Sequence, residues 1–332
     1  MGRVSEIRDP RPRRRRLLRV VVGLLVLLSV AGYFAVQRAS NGGGAPFCVA
    51  SADASGRDGG SEKYEMSPEQ AANAATIAAV GVAKGLPDRA VTIALATAMQ
   101  ESALRNLDHG DRDSLGLFQQ RPSMGWGTPE QITDPVYSAG IFYDHLVDVP
   151  GYSRLPLTVA AQKVQRSGFP QAYAKHEPDA TVLTAAFAGG GSLDCGGPAP
   201  TQPGDPAKVR AGLVRIFGED GMHTFGPQGG QGGQGGQAGR SAGGRAVEEP
   251  EITMVEKGDA GEAAPRRSRA MAHWAVANSR EMGIARVSYD LRGWVAGKDR
   301  GRWQDKADGA AKKGDGDPYG AAPGEVRIFM AR

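Results

Sequence analysis

At 332 residues the chain is long enough for two modest domains, and 40% hydrophobic residues suffice for cores wherever the sequence is not low in complexity. The net charge of +4 sits mostly in one N-terminal cluster, so no nucleic-acid partner is inferred, while the 48 glycines and 21 prolines are unevenly spread and mark linkers. Five scattered histidines lack metal-ligand spacing, which argues against zinc, and no cofactor is expected.

The chain opens with a basic tail over 1–16, ending in Arg11-Pro12-Arg13-Arg14-Arg15-Arg16. The segment 17–37 follows, apolar from Val20 to Val36 and long enough to span a bilayer as a helix. Arginines before it and few cations just after it place the N-terminus in the cytoplasm and the rest outside. The alternative is a cleaved signal peptide and a secreted protein, although the apolar run exceeds the usual length and no convincing A-x-A site follows it. Both readings export the bulk of the chain. Residues 38–63, rich in Gly, Ser and Asp, read as a flexible tether.

The two cysteines, Cys48 and Cys195, are expected to pair in an oxidising compartment. They bracket residues 64–197, which are dense in Ala, Leu, Val and aromatic residues. Nearly everything there reads helical. Ser67-Pro68-Glu69-Gln70 is a cap with Pro at the first helical position and predicts a helix to about Lys84. A second helix, opened by an Asp88 cap, runs through Met99, and further helices are expected over Asp134 to Val147, Thr158 to Arg166 and Asp179 to Phe187. On the second helix Glu101 continues the row of Ala94 and Ala98, so its carboxylate should point inward.

Glu101-Ser102 at a helix end, followed by Gly116-Leu117-Phe118-Gln119 in "DRDSLGLFQQRPSMGWGTPEQITDP", resembles the Glu-Ser and Gly-Leu-x-Gln motifs of lysozyme-like lytic transglycosylases, exported bacterial enzymes that cleave peptidoglycan. The resemblance covers about residues 64–192 and implies a mainly α, lysozyme-like catalytic domain with peptidoglycan as its partner and Glu101 as the catalytic acid. It places substrate contacts at Ser102, Gly116, Leu117 and Gln119. The family's later Ala-Tyr-Asn-Ala-Gly segment is missing here. Two segments stand nearest to it: Ala160 to Gln165, where Gln162 or Gln165 would replace the Asn, and Ala185-Ala186-Phe187-Ala188-Gly189, which keeps the small residues without the amide; Tyr173 is the candidate for the family's downstream Tyr.

The chemistry agrees with that placement. Breaking a glycosidic bond requires a carboxylic acid still protonated near neutral pH, and both an inward position and the negative end of a helix dipole favour the neutral acid. The competing reading of Glu101 is a last-turn glutamate paired with Arg105 at i+4. Gln119 offers an amide for a sugar hydroxyl or N-acetyl group or for its own loop, and Trp126 offers a ring for stacking on sugar or for packing. Asp108, Asp111 and Asp113 are candidates for a second catalytic carboxylate; their spacing does not match a calcium loop, and "HGDRDS" is good turn chemistry.

Residues 198–265 read as a Pro/Gly/Gln-rich linker, disordered in its Gly/Gln part, with a short helix over Ala207 to Phe217. From 266 to 332 one helix, three strands and a polar insertion over Lys306 to Tyr319 suggest a small accessory α+β module. Trp274, Trp294 and Trp303 lie in it and suggest a carbohydrate surface or a contact for a cell-envelope protein, although packing explains Trp274 equally well. Two functions stay open: a glycan-strand-cleaving enzyme, with hydrolysis and transglycosylation both allowed, and a binding or scaffolding protein that holds glycan without turning it over.

Overall fold

The computed structural model describes residues 45–53, 62–166, 170–219, 222–225, 251–255, 263–305, 321 and 324–332, with isolated positions 29 and 32. The basic tail, nearly all of the expected membrane segment and the Gly/Gln-rich stretch lie outside them. Among the described residues no helix is long and apolar enough to cross a membrane. The fold is mainly α, with two antiparallel sheets.

The first sheet has the order β2-β1-β3, from β1 (Phe47–Ser51), β2 (Lys63–Met66) and β3 (Ser192–Gly196). β1 falls inside the expected tether, so ordered structure begins earlier than composition suggested. "FCVAS" alternates exposed and buried positions at its start, and its backbone pairs on both sides. Cys48 sits directly opposite Cys195 and the two form a disulfide across β1 and β3. The bridge closes a loop with a sequence separation of 147. A Cys48→Ser/Cys195→Ser variant is expected to lose about 5 kcal/mol in the loop-entropy account, read as a large fall in denaturation midpoint.

Helix α1 (Pro68–Ala83) begins where expected, with Ser67 and Gln70 forming a capping box and Pro68 at the first position. Helix α2 (Asp88–Ser102) differs at its start. Pro87 occupies the cap without a side-chain bond, and Asp88 lies in the first turn, where it receives Arg266 Nη2 at 2.6 Å. The run from Ala90 to Met99 is buried all round, because α2 is enclosed by α1, α4 (Pro135–Val147), α5 (Leu157–Gln165) and α6 (Glu177–Phe187). The short α3 (Pro129–Ile132) carries its own capping box from Thr128 and Gln131, and Asp134 caps α4.

The expected linker contains ordered elements. Helix α7 (Pro206–Phe217) is capped by Asp205 and buries Val209, Leu213, Ile216 and Phe217. Strands β4 (Met222–Phe225) and β5 (Glu251–Val255) join a six-stranded sheet of order β4-β5-β9-β6-β7-β8, with β6 (Ile284–Tyr289), β7 (Arg292–Val295), β8 (Gln304–Asp305) and β9 (Glu325–Met330). Helices α8 (Ala263–Ala277) and α9 (Ser279–Met282) lead into β6.

The C-terminal part is therefore no separate accessory module. Helix α8 packs on the sheet and also on α1, and buried residues from both halves form one continuous cluster within 45–332. The three tryptophans explain the join. They are 3%, 1% and 7% exposed, and each indole N–H is satisfied internally: Trp274 by Thr76 Oγ1, Trp294 by the Gly301 carbonyl and Trp303 by the Leu193 carbonyl. Two of these bonds cross to the helical half. The rings are core, so the expected carbohydrate surface does not exist at these residues.

Candidate active site

The last turn of α2 ends in backbone that few side chains favour. Ala103 and Leu104 both take left-handed conformations, and their N–H groups close on the Met99 and Ala98 carbonyls, stopping the helix directly after Glu101 and Ser102. Gln119 and Arg166 are also left-handed without being glycine. Left-handed backbone thus lies next to Ser102, at Gln119 and next to Gln165, and backbone strain of this kind clusters at functional sites.

Glu101 is half-buried, and its Oε1 accepts a hydrogen bond from the Tyr173 hydroxyl at 2.5 Å. Burial pushes its carboxyl above the ordinary glutamate value, outweighing the hydrogen bonds from Tyr173 and Gln165, which favour the carboxylate. Arg105, the partner in the competing reading, instead turns its Nε to the Ser102 carbonyl at 3.4 Å. The inward prediction from the Ala94 and Ala98 row holds.

Tyr173 comes from a 3-10 helix, Pro170–His176, where residues three apart eclipse. His176 therefore lies on the same side and meets Gln100 Oε1 at 3.2 Å, so this turn grips α2 through both Gln100 and Glu101. Nothing in the sequence pattern pointed to His176. Only the eclipsed spacing from Tyr173 would have found it, had the 3-10 turn been foreseen.

Ser102 is buried and donates to the Leu117 carbonyl at 2.8 Å, and Gln165 Nε2 donates to the Phe118 carbonyl at 2.7 Å. These two bonds fix the Gly116-Leu117-Phe118-Gln119 loop against the end of α2. Ser102 is thus a positioning group. Gln165 reaches both the loop and Glu101, while Gln162 sits half-buried one turn earlier on α5. Gln165, one of the two glutamines expected in place of the missing asparagine, thus stands beside Glu101.

The remaining loop residues depart from the expected substrate contacts. Leu117 is fully buried in the core. Gly116 has φ +74, and a Cβ there would come within 2.4 Å of the Ile132 carbonyl oxygen, so glycine is required by the close approach of α3. Gln119 turns its amide onto the His109 and Gly116 carbonyls, both at 3.3 Å. Trp126 packs against His145 with ring centroids 4.5 Å apart, and its carbonyl accepts from the Tyr137 hydroxyl. Gly116, Leu117, Gln119 and Trp126 build the loop.

The aspartates are similarly occupied. Asp113 binds Arg121 Nε at 2.6 Å and the Ser123 N–H at 2.8 Å, and the bonds from Ser123 and Arg121 hold its carboxyl well below the usual range. Asp108 pairs with His109 at 2.7 Å, which also lowers its pKa, and Asp111 is exposed beside Arg112. Among the described residues no group of His, Cys, Asp and Glu is arranged to hold a metal ion. Glu101 is the carboxyl group of this region whose surroundings favour its neutral form. Neither the family models nor the curated proteins compared with this chain gave a match.

Proposed function

We propose that the chain is an exported enzyme that cleaves the peptidoglycan glycan strand between N-acetylmuramic acid and N-acetylglucosamine on a lysozyme-like helical domain. Residues 17–37 would hold it at the outer face of the membrane, or it would be secreted if they are cleaved. The observation that carries this reading is Glu101: a half-buried acid at a helix end, shifted toward its neutral form and fixed by Tyr173 and Gln165. In this mechanism Glu101 protonates the leaving glycosidic oxygen. With the nearby aspartates engaged in their own turns, the Glu101 carboxylate then takes the proton from the sugar's 6-hydroxyl as that oxygen closes on the anomeric carbon. An internal nucleophile has a proximity advantage over water.

The expected fragments from purified peptidoglycan carry 1,6-anhydromuramic ends, lighter by one water than hydrolysed ends, which mass analysis distinguishes. Reducing ends alone would make the protein a lysozyme. Retention on the wall with no fragments released would favour the non-catalytic binding reading.

The pH profile supplies a second prediction. Glu101 must be protonated to act as acid, so the rate falls on the alkaline side as pH rises through its raised pKa, above the ordinary glutamate range. The Tyr173 bond favours the carboxylate, so Tyr173→Phe is expected to move that limb to higher pH. A shift to lower pH would contradict the assignment.

A further inference from the structure

Away from the Glu101 region, α8, the β6–β7 hairpin and the turn before β3 line a cavity of about 300 Å³ that opens to solvent. This volume is at the small end of the range for ligand pockets, about 300 to 1,000 Å³. Buried His273, Tyr289 and Trp303 line it together with Arg269, Asp290, Arg292 and Asp305. None of these residues has a role in the glycan chemistry above.

Two arginines and two aspartates line the cavity, and one opposite pair among them, Arg292 with Asp305, is in contact. Arg269 donates to the Gly189 carbonyl and to Tyr289, which leaves part of its five-donor guanidinium for a ligand. Arg292 Nε lies 3.1 Å from Asp305 Oδ1. Asp290 is exposed at the tip of the hairpin and makes no hydrogen bond or ion pair among the described residues. Burial and the two arginines push the His273 pKa down to about 3, so it adds no further positive charge near neutrality. Two cations and two anions at one small cavity favour neither a simple anion nor a simple cation. Sugar stacking is disfavoured as well, because Trp303 is buried, with His273 at 5.7 Å between ring centroids and Arg292 over its face at 6.0 Å.

We infer that this cavity binds an amino-acid head group, its carboxylate on Arg269 and Arg292 and its ammonium on Asp290 and Asp305. Such a group comes either from a free amino acid or, resting on the proposed function, from the free diamino-acid end of a peptidoglycan stem peptide.

Calorimetric titration of the full chain in detergent micelles tests the inference. The probes are meso-diaminopimelic acid, its N-acetylated and its amidated derivatives, and a disaccharide-tetrapeptide released from the wall. Saturable binding of the free diamino acid is expected, at least tenfold weaker for both blocked derivatives and at least tenfold weaker for Asp290→Asn. Asn tolerates the left-handed backbone at this position, where φ is 48°, so that variant should fold. Tighter binding of the disaccharide-tetrapeptide than of the free diamino acid assigns the wall peptide as source, and the reverse order assigns the free amino acid. Absence of saturable heat, equal binding of the blocked derivatives, or an unchanged Asp290→Asn titration would each overturn the site. Glu101→Gln is expected to bind as the parent does. If the parent binds the head group yet releases no glycan fragments, the cavity stands and the enzymatic reading falls.

Discussion

Glu101→Gln is expected to lower glycan-strand cleavage by at least about 10³-fold while making the folded protein more stable at neutral pH. The loss follows from the double duty assigned to the carboxyl, since an amide neither donates the proton to the leaving oxygen nor takes it back, and positioned acid-base catalysis contributes roughly 10² to 10⁴-fold. The gain in stability follows from the direction of the pKa shift. Burial raises the folded-state pKa, so between the ordinary glutamate value and the raised one the folded chain binds more protons than the unfolded chain. Stability therefore falls as pH rises through that window, and above it the protein carries the cost of a half-buried charge. Gln does not titrate, and the Tyr173 hydroxyl can still donate to its amide oxygen. The rate is read from fragment release and the stability from denaturation midpoints at acid and neutral pH. The stability difference between variant and parent should shrink in acid. A variant that cleaves like the parent, or one less stable than it at neutral pH, would remove Glu101 from the role of buried acid.

The inward position of Glu101 was legible because it rests on helical geometry alone, in a row with Ala94 and Ala98, both fully buried. The cap at Ser67 was legible for the same local reason, whereas Asp134, expected inside its helix, caps it from outside. The loop was legible in place but not in role. "GLFQ" marked a segment that packs against the end of α2, yet only the fold shows that Leu117 is core, that Gly116 makes room for Ile132 and that Gln119 faces its own backbone. What ties the loop to α2 and α5 is the pair of carbonyls, Leu117 and Phe118, held by Ser102 and Gln165, and backbone carbonyls have no sequence signature.

The strands were harder, because their partners are distant in sequence. β1 is five residues in a polar stretch and takes its identity from β3, and β5 finds β9 only after α8 and the intervening strands. One clue was available. "ANAATIAAVGVA" on α1 has no continuous polar face, and a helix apolar all round must be covered on more than one side. The cover is α8 with α7, which is why the C-terminal residues are part of the same core.

Removing residues 266–332 is therefore expected to unfold the helical half, not to liberate it as a stable catalytic fragment. Three anchors would go at once: Trp274 against Thr76 and α7, the Arg266 bonds to the Leu86 carbonyl and Asp88, and the Trp303 bond to the Leu193 carbonyl of β3, the strand that carries Cys195. The apolar side of α1 would then meet water along its length. A gentler version isolates one anchor. Trp274→Ala removes a buried indole and leaves a cavity, which typically costs about 3 to 5 kcal/mol for a large aromatic in a core. Gly212 lies so close to that ring that a Cβ would sit 2.8 Å from it, so α7 cannot close the gap without moving as a whole. Both versions are read by denaturant titration, with tryptophan fluorescence and helical circular dichroism followed together. The single substitution should lower the midpoint of one transition shared by the two signals. A truncated chain that keeps its helical signal and unfolds cooperatively would show that the helical half stands alone, and that the six-stranded sheet is an appendage after all.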